Sequence, residues 1–333
     1  MLAARGRTPP IPSWTRQRLL PLTALLAGLL PRALLAHDGE PLRPHDLWSA
    51  WSRDPLVILL LALGGWGYAR GVRALWRRAG VGRGIRRWQA AAFAGGMAAL
   101  VIALVSPVHA LGEALFAAHM VQHLMLMLVA APLLALSAPA PALLWALPTG
   151  TRKMLARSWR HAPRLRAVAR TLAHPLASWT LGAAILWAWH VPAGYDTAVR
   201  VEAIHALEHA TFFASAFLFW WALVRPTGVF RRARGAALIY LFAAAMQSAA
   251  LGALLTLAPR PWYAAHLEST APWGLTPLQD QHIGGGIMWM PASVVYLAAI
   301  ACALVAWLRD AERKVERLER SRAVAGPGRG ATG

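Results

Sequence analysis

Two pairs of histidines have the spacing at which side chains share one face of a helix. The stretch HMVQHLMLML begins with His119 and His123, and HALEH contains His205 and His209. Residues at i and i+4 lie one turn apart on the same helix face. Two such pairs on neighbouring helices would bring up to four imidazoles to one site, which is a ligand set suited to copper or zinc.

Each pair has a polar companion on the same face, Gln122 in the first and Glu208 in the second. We expect these side chains to orient the imidazoles. His190 lies at the end of another apolar run, within reach of the pairs, and thioether sulfur nearby would favour Cu(I). The predicted metal ligands are His119, His123, His190, His205 and His209, and the supporting residues are Gln122, Glu208, Asp280, Met120 and Met288.

Asp280 lies in a further constellation, LQDQHIGGGIMWMP, in which three glycines permit a close approach of backbones. Its carboxylate would either cap free amide groups at a helix N-terminus or orient or bind as a ligand beside an imidazole. The preceding loop, 258–284, contains Trp262, Tyr263, His266 and Trp273. We expect this loop to cover the pocket.

Two other roles for the histidines have to be weighed. Histidines inside a membrane also form hydrogen bonds between helices or relay protons. HALEH also matches H-x-x-E-H, the inverted zinc-protease signature in which glutamate is the general base. The first pair has Gln122 at the equivalent place, and glutamine cannot act as a base. The parallel between the pairs therefore favours a shared supporting role, and we predict no enzymatic activity.

The composition is that of a membrane protein. Of the 333 residues 57% are hydrophobic and 14% are charged, whereas soluble domains have roughly 25% charged residues. The 34 Lys+Arg against 14 Asp+Glu occur in short clusters between apolar runs, a pattern that encodes membrane topology rather than nucleic-acid binding. The one cysteine, Cys302, excludes an intramolecular disulfide and a thiolate cluster from this chain alone.

The apolar runs predict an all-α, polytopic helix bundle, because lipid offers backbone groups no hydrogen-bond partner. Arginine clusters fill alternate connections, so the positive-inside rule puts the mature N-terminus outside and the C-terminus in the cytoplasm. Ten of the twelve histidines, all except His161 and His174, then fall on the outer side. The seven predicted spans are roughly 55–70, 88–106, 115–137, 172–190, 204–224, 235–257 and 285–308.

The segments outside the bundle complete the predicted organisation. Residues 1–36 are basic and then apolar, as in a signal peptide cleaved after Ala36, or an uncleaved anchor. Residues 37–54 form a short outward segment, 55–308 the membrane domain and 309–333 a cytoplasmic tail. The start of the tail, RDAERKVERLERSR, is compatible with a charged continuation of the last helix.

Four segments carry a family resemblance: HMVQHLMLMLVAAPLLALSAP, WHVPAGYD, HALEHATFFASAFLFWWALV and DQHIGGGIMWMP. They resemble the CtaG-type cytochrome c oxidase assembly factors of bacteria, associated with caa3-type oxidases, over about residues 55–308. The resemblance implies a plasma-membrane protein of about seven helices, needed for active oxidase and acting in copper delivery or cofactor insertion. The family's recurring polar positions correspond to His119, Gln122, His123, His190, His205, Glu208, His209 and Asp280.

Three functional hypotheses follow. The first is an assembly factor in the bacterial inner membrane that binds copper at an outer-face site, built from the two histidine pairs, and presents it to an oxidase subunit. The second is a haem b-binding electron carrier with bis-histidine ligation between helices. The third is a metal or proton transporter, for which Gln247, Ser248 and His174 would extend a polar path into the inner half.

Overall fold

The computed structural model describes residues 42–224, 230 and 235–325, without the side chains of 322–325. The predicted leader, 1–36, lies outside the described residues. Within these ranges all regular structure is helical, which confirms the all-α prediction. The helices are α1 Pro55–Ala79, α2 Arg87–Leu104, α3 Pro107–Ala114, α4 Phe116–Leu136, α5 Pro139–Ala146, α6 Thr149–Arg160, α7 Pro163–Leu172, α8 Pro175–Trp189, α9 Pro192–Arg200, α10 Glu202–Val224, α11 Ala236–Thr256 and α12 Pro277–Ala325.

Six of these helices are long and apolar enough to cross a membrane: α1, α2, α4, α10, α11 and α12. The fourth predicted span, 172–190, forms α8, which has only 15 residues. At 1.5 Å per residue it is about 22 Å long, short of the ~30 Å hydrocarbon core. Proline limits it at both ends. Pro175 begins the helix, and Val191, which precedes Pro192, is extended.

The last helix is longer than the predicted span. α12 begins at Pro277, ahead of the expected residue 285, and continues to Ala325 through the charged segment RDAERKVERLERSR. The charged part of the predicted tail is therefore a helical extension of the bundle, with i,i+4 pairs such as Lys314–Asp310 and Arg320–Glu316 along it.

An irregular turn interrupts α4 just after its histidines. Residues Met125–Ala130 are π-helical, and Pro132 lies two residues after Ala130. In this turn the amide of Ala131 donates to Leu126 O, and Pro132 has no N–H to offer to Met127 O. The indole Nε1 of Trp220 on α10 donates to that carbonyl instead, at 2.9 Å. This hydrogen bond connects the irregular turn of α4 to α10, one turn beyond His123 along α4.

Glycines allow the backbones of α11 and α12 to approach closely. A Cβ at Gly285 would lie 2.6 Å from Thr256 Oγ1 and 2.8 Å from Gly252 O. A Cβ at Gly284 would lie 2.3 Å from the ring of Phe116 on α4. Two of the three predicted glycines therefore pack against neighbouring backbones and rings, whereas Gly286 has nothing within 4 Å of such a Cβ.

The bundle has two chemically different ends. Arginines gather at the end that includes α6 and α7, where Arg78 and Arg152 lie 5.5 and 4.2 Å from the Trp145 ring centroid. At the opposite end of α4 are the histidine pairs, with α3, α9 and the loop before α12. We call these the arginine end and the histidine end. Their segregation agrees with the predicted topology, and the orientation across the membrane remains a prediction.

Candidate metal centre

The two histidine pairs face each other at the histidine end. His119 and His123 lie in the first two turns of α4, and His205 and His209 in the first two turns of α10. The ring centroids of His119 and His205 are 5.2 Å apart, and those of His123 and His209 are 5.3 Å apart. All four side chains are buried. The structure therefore brings together the four histidines that their spacing suggested.

A compact set of potential ligand atoms differs from the four predicted imidazoles. It consists of one atom each from His119, His205, Glu208 and His209, all within 4.8 Å of one another. We call these four residues the buried group. Glu208, expected only to orient an imidazole, contributes a carboxylate oxygen to it. His123 lies at its edge, with Nε2 3.8 Å from Glu208 Oε1.

The polar atoms of this region lack hydrogen-bond partners. Both ring nitrogens of His119 and His123, both oxygens of Glu208 and Nε2 of His209 are buried and make no hydrogen bond within the described chain. His119 Nε2 and Glu208 Oε2 are 3.4 Å apart, longer than the 2.7–2.9 Å of a charge-assisted bond. Buried polar groups are normally paired, so this concentration of unpaired nitrogen and oxygen atoms makes the region a candidate functional site.

The donor set fits a transition-metal ion. Tetrahedral sites with bonds of 2.0–2.1 Å put ligand atoms roughly 3.3 Å apart, and these atoms lie within 4.8 Å. Small side-chain rotations would close the difference. Three imidazoles with one carboxylate suit zinc or copper rather than magnesium or calcium, which prefer oxygen ligands.

His190 and the two methionines lie beside His123 rather than among the four residues of the buried group. Met120, His123, His190 and Met288 line a cavity of about 60 Å³, together with Gln247 and Ser248. His190 Nδ1 is 2.7 Å from Leu186 O, so Nδ1 carries the proton and Nε2 keeps its lone pair. The ring centroids of His123 and His190 are 6.4 Å apart. His190 is thus near the buried group without belonging to it.

Gln122 and Asp280 form hydrogen bonds with groups other than the paired imidazoles, and for Asp280 this is the capping alternative that the sequence had left open. The Gln122 amide nitrogen donates to Ala103 O at 2.7 Å and lies 3.0 Å from His109 Nδ1. Asp280 accepts from the amides of Phe116 and Ala117, at 2.7 and 3.0 Å. Asp280 therefore caps the N-terminus of α4, the helix that carries His119, from the start of α12.

Sequence reasoning missed two residues next to the buried group. His109 was counted among the outer histidines without a role, and Glu113 was not considered. Both lie on α3, and His109, Glu113 and His205 form a second set of ligand atoms within 4.8 Å of one another. The i,i+4 spacing in HALGE was the signal that could have identified them.

The loop before α12 packs against residues that adjoin the site. The Tyr263 hydroxyl donates to His190 O at 3.1 Å, and His266 Nε2 lies 2.8 Å from the Tyr195 hydroxyl. The carboxylate of Asp196 on α9 accepts from the amides of Ala264 and Ala265, which holds the loop down. Burial, with the nearby His119 as a smaller cause, lowers the pKa of His266 to about 3, so this imidazole is neutral at physiological pH.

The fold and the site together define a class of protein. This is a polytopic helical membrane protein in which two facing HxxxH turns gather buried imidazoles and a carboxylate at one end of the bundle. Residues 66–310 match the family described as cytochrome c oxidase caa3 assembly factor (Caa3_CtaG). The chain belongs to this family, which confirms the resemblance carried by its motifs.

The chain is also similar to three mycobacterial proteins whose names describe them as uncharacterized. It is 31% identical over 279 residues to one from Mycobacterium bovis and to one from Mycobacterium tuberculosis, covering 82% of this chain and 41% of each relative. A third, from Mycobacterium leprae, is 28% identical over 281 residues, covering 82% and 42%. The chain thus spans about two fifths of the length of these relatives. No solved structure matches it significantly.

Proposed function

We propose that this cytochrome c oxidase assembly factor binds copper through the buried group and delivers it to an oxidase subunit. The observation that carries the proposal is the buried group itself. One ligand atom each from three imidazoles and a carboxylate lies within 4.8 Å of the others, and Glu208, His119 and His209 have buried atoms without hydrogen-bond partners among the described residues. A metal ion bound there would neutralise the carboxylate and occupy the lone pairs at once.

Copper agrees best with the chemistry of the surrounding side chains. Imidazole binds both copper and zinc, whereas thioether sulfur favours Cu(I). Met120 and Met288 are buried beside His123 and His190, in a cavity next to the buried group. Thiolate ligation is not part of the proposal, because the one cysteine, Cys302, is exposed on α12.

The proposed role needs no covalent chemistry. Family membership supports a part in oxidase assembly. The sequence-based orientation would put the histidine end on the outer side of the bacterial inner membrane. A metal released there would reach a copper centre that faces outward. Glu208, which would serve as the general base in a peptidase, is fully buried and contributes to the donor set instead.

Metal analysis of the purified full chain tests the proposal. We expect the protein to retain about one Cu(I) per chain after dialysis and to lose it in the His119→Ala/His209→Ala variant. His161→Ala, an exposed histidine at the arginine end, is the matched control and should retain the ion. Wild-type protein that binds no copper, or that shows a Soret band from bound haem, would refute the copper proposal.

A cellular experiment tests the role in assembly. Deletion of the gene should lower cytochrome c oxidase activity, and added copper should restore part of it. Complementation with the His119→Ala/His209→Ala variant should fail, whereas His161→Ala should complement fully. Unchanged oxidase activity after deletion would contradict a role in assembly.

A further inference from the structure

A second set of potential ligands lies next to the buried group. His109 and Glu113 are one turn apart on α3, with His109 Nε2 3.7 Å from Glu113 Oε1. The His109 ring stacks near that of His205, with centroids 5.4 Å apart. One ligand atom each from His109, Glu113 and His205 lies within 4.8 Å of the others. We call these three residues the peripheral group.

The peripheral group is more accessible than the buried group. The side chains of His109 and Glu113 are 24% and 23% exposed, whereas His119 and Glu208 are fully buried. His205 belongs to both groups. The two groups therefore form a continuous series of donors from a partly exposed position to a buried one.

The peripheral group opens onto a large cavity. This cavity has a volume of about 1390 Å³, and His109, Glu113, His205 and His209 are among its lining residues. Its charged lining residues are four carboxylates and one guanidinium, from Asp54, Glu113, Glu202, Glu268 and Arg53. The charged lining of the cavity is therefore net negative, whereas the whole chain has a net charge of +20. Clefts lined by one sign of charge raise the local concentration of the opposite ion.

Hydrogen bonding indicates that the peripheral group would hold an ion only weakly. The Gln122 amide donates to Ala103 O and also approaches His109 Nδ1, at 3.0 Å. A neutral imidazole has one lone pair on nitrogen, so this amide competes with a metal for His109. Weak binding suits a position through which an ion passes.

We propose that His109, Glu113 and His205 form a second cation position, from which an ion reaches and leaves the buried group through His205. A neutral imidazole donates one lone pair, so His205 holds an ion in one group or the other and the two positions are occupied in turn. The inference rests on the proposed function for the identity of the ion. It adds the route and names the residues that control its rate.

Loading kinetics of the purified full chain test the route. Cu(I) would be transferred from a coloured chelator, and the rate and end point would be followed by absorbance. In the His109→Ala/Glu113→Gln variant we expect loading to slow by about tenfold, because an entering ion loses the two ligands that precede the buried group, with nearly unchanged final affinity. Glu268→Gln removes a charge from the same cavity but no peripheral ligand, so its loading should slow much less.

A second comparison detects the peripheral position directly. His119→Ala/His209→Ala protein should retain weak Cu(I) binding, and adding Glu113→Gln to it should abolish that binding. If the peripheral variant loads at the wild-type rate, or if Glu113→Gln leaves the weak binding unchanged, the inference is wrong while copper binding at the buried group stands. Wild-type protein that binds no Cu(I) would refute the proposed function and this inference together.

Discussion

Asp280 joins two parts of the chain that are far apart in sequence, and replacing it by asparagine tests how α4 is held. Its Oδ2 and Oδ1 accept from the amides of Phe116 and Ala117, at 2.7 and 3.0 Å. Asp280→Asn turns one of these oxygens into an NH2 group that faces an N–H. One hydrogen bond is lost, and two buried donors, the backbone N–H and the new NH2 group, are left without an acceptor, at a cost of about 2 kcal/mol.

The loss should be visible both globally and locally. The midpoint of thermal unfolding in detergent, followed by tryptophan fluorescence, should fall by roughly 4–8 °C, at about 2–4 °C per kcal/mol. Hydrogen exchange at the first turn of α4 should accelerate by about 30-fold, the factor that 2 kcal/mol represents. His119 is three residues after Phe116, so the buried group would lose part of its support.

Asp54→Asn is the matched control. Asp54 caps α1, and there a single oxygen, Oδ1, accepts from both Leu56 and Val57. Asparagine retains that oxygen and is as good an N-cap as aspartate, so stability should be unchanged. If Asp280→Asn left the unfolding midpoint as unchanged as Asp54→Asn does, the argument that both carboxylate oxygens hold α4 would be refuted.

Three further substitutions probe the site and its support. Glu208→Gln should weaken Cu(I) binding by at least about tenfold, measured by chelator competition, without lowering the melting temperature of the copper-free protein, because the Glu208 carboxylate accepts no hydrogen bond from the described residues. Gly285→Ala should cost about 1–3 kcal/mol, measured by thermal unfolding, because its Cβ would approach Thr256 Oγ1 at 2.6 Å. Trp220→Phe should cost about 1–2 kcal/mol in the same assay, because Met127 O would lose its indole donor.

Each of these predictions has an outcome that would count against it. Gly286→Ala is the control for Gly285, since nothing lies within 4 Å of its Cβ, and equal effects of the two would contradict the packing argument. Full copper affinity in Glu208→Gln would remove the carboxylate from the donor set. Wild-type stability in Trp220→Phe would mean that Met127 O gains no stabilisation from the indole.

The helical pattern of the chain determined much of the site. Because i and i+4 share a helix face, the spacing of His119 and His123, and of His205 and His209, required each pair to project together. The alternation of arginine clusters with apolar runs then predicted that both pairs lie near the same end of the bundle. The three glycines after Asp280 also predicted that this helix approaches its neighbours closely. The packing of Gly284 and Gly285 confirms this prediction.

Other features of the site depended on tertiary packing. Glu208 lies on the same face of α10 as His205 and His209, but the rotation of α10 against α4 decides which side chains meet. That rotation puts Glu208 in the donor set and leaves His123 at its edge. Gln122 contacts His109, on a helix that sequence reasoning had not connected to the site.

Length and distance along the chain account for the remaining differences. Hydropathy alone could not show that α8 is only 15 residues long, since the apolar composition extends past the prolines that limit the helix. The local sequence around Asp280 allowed a cap or an imidazole partner equally well. Its actual partners are 163 and 164 residues away. The sequence therefore determined which residues share a helix face, because that depends on local backbone geometry. Only the packed structure decided which faces meet, because that depends on the side chains of every helix together.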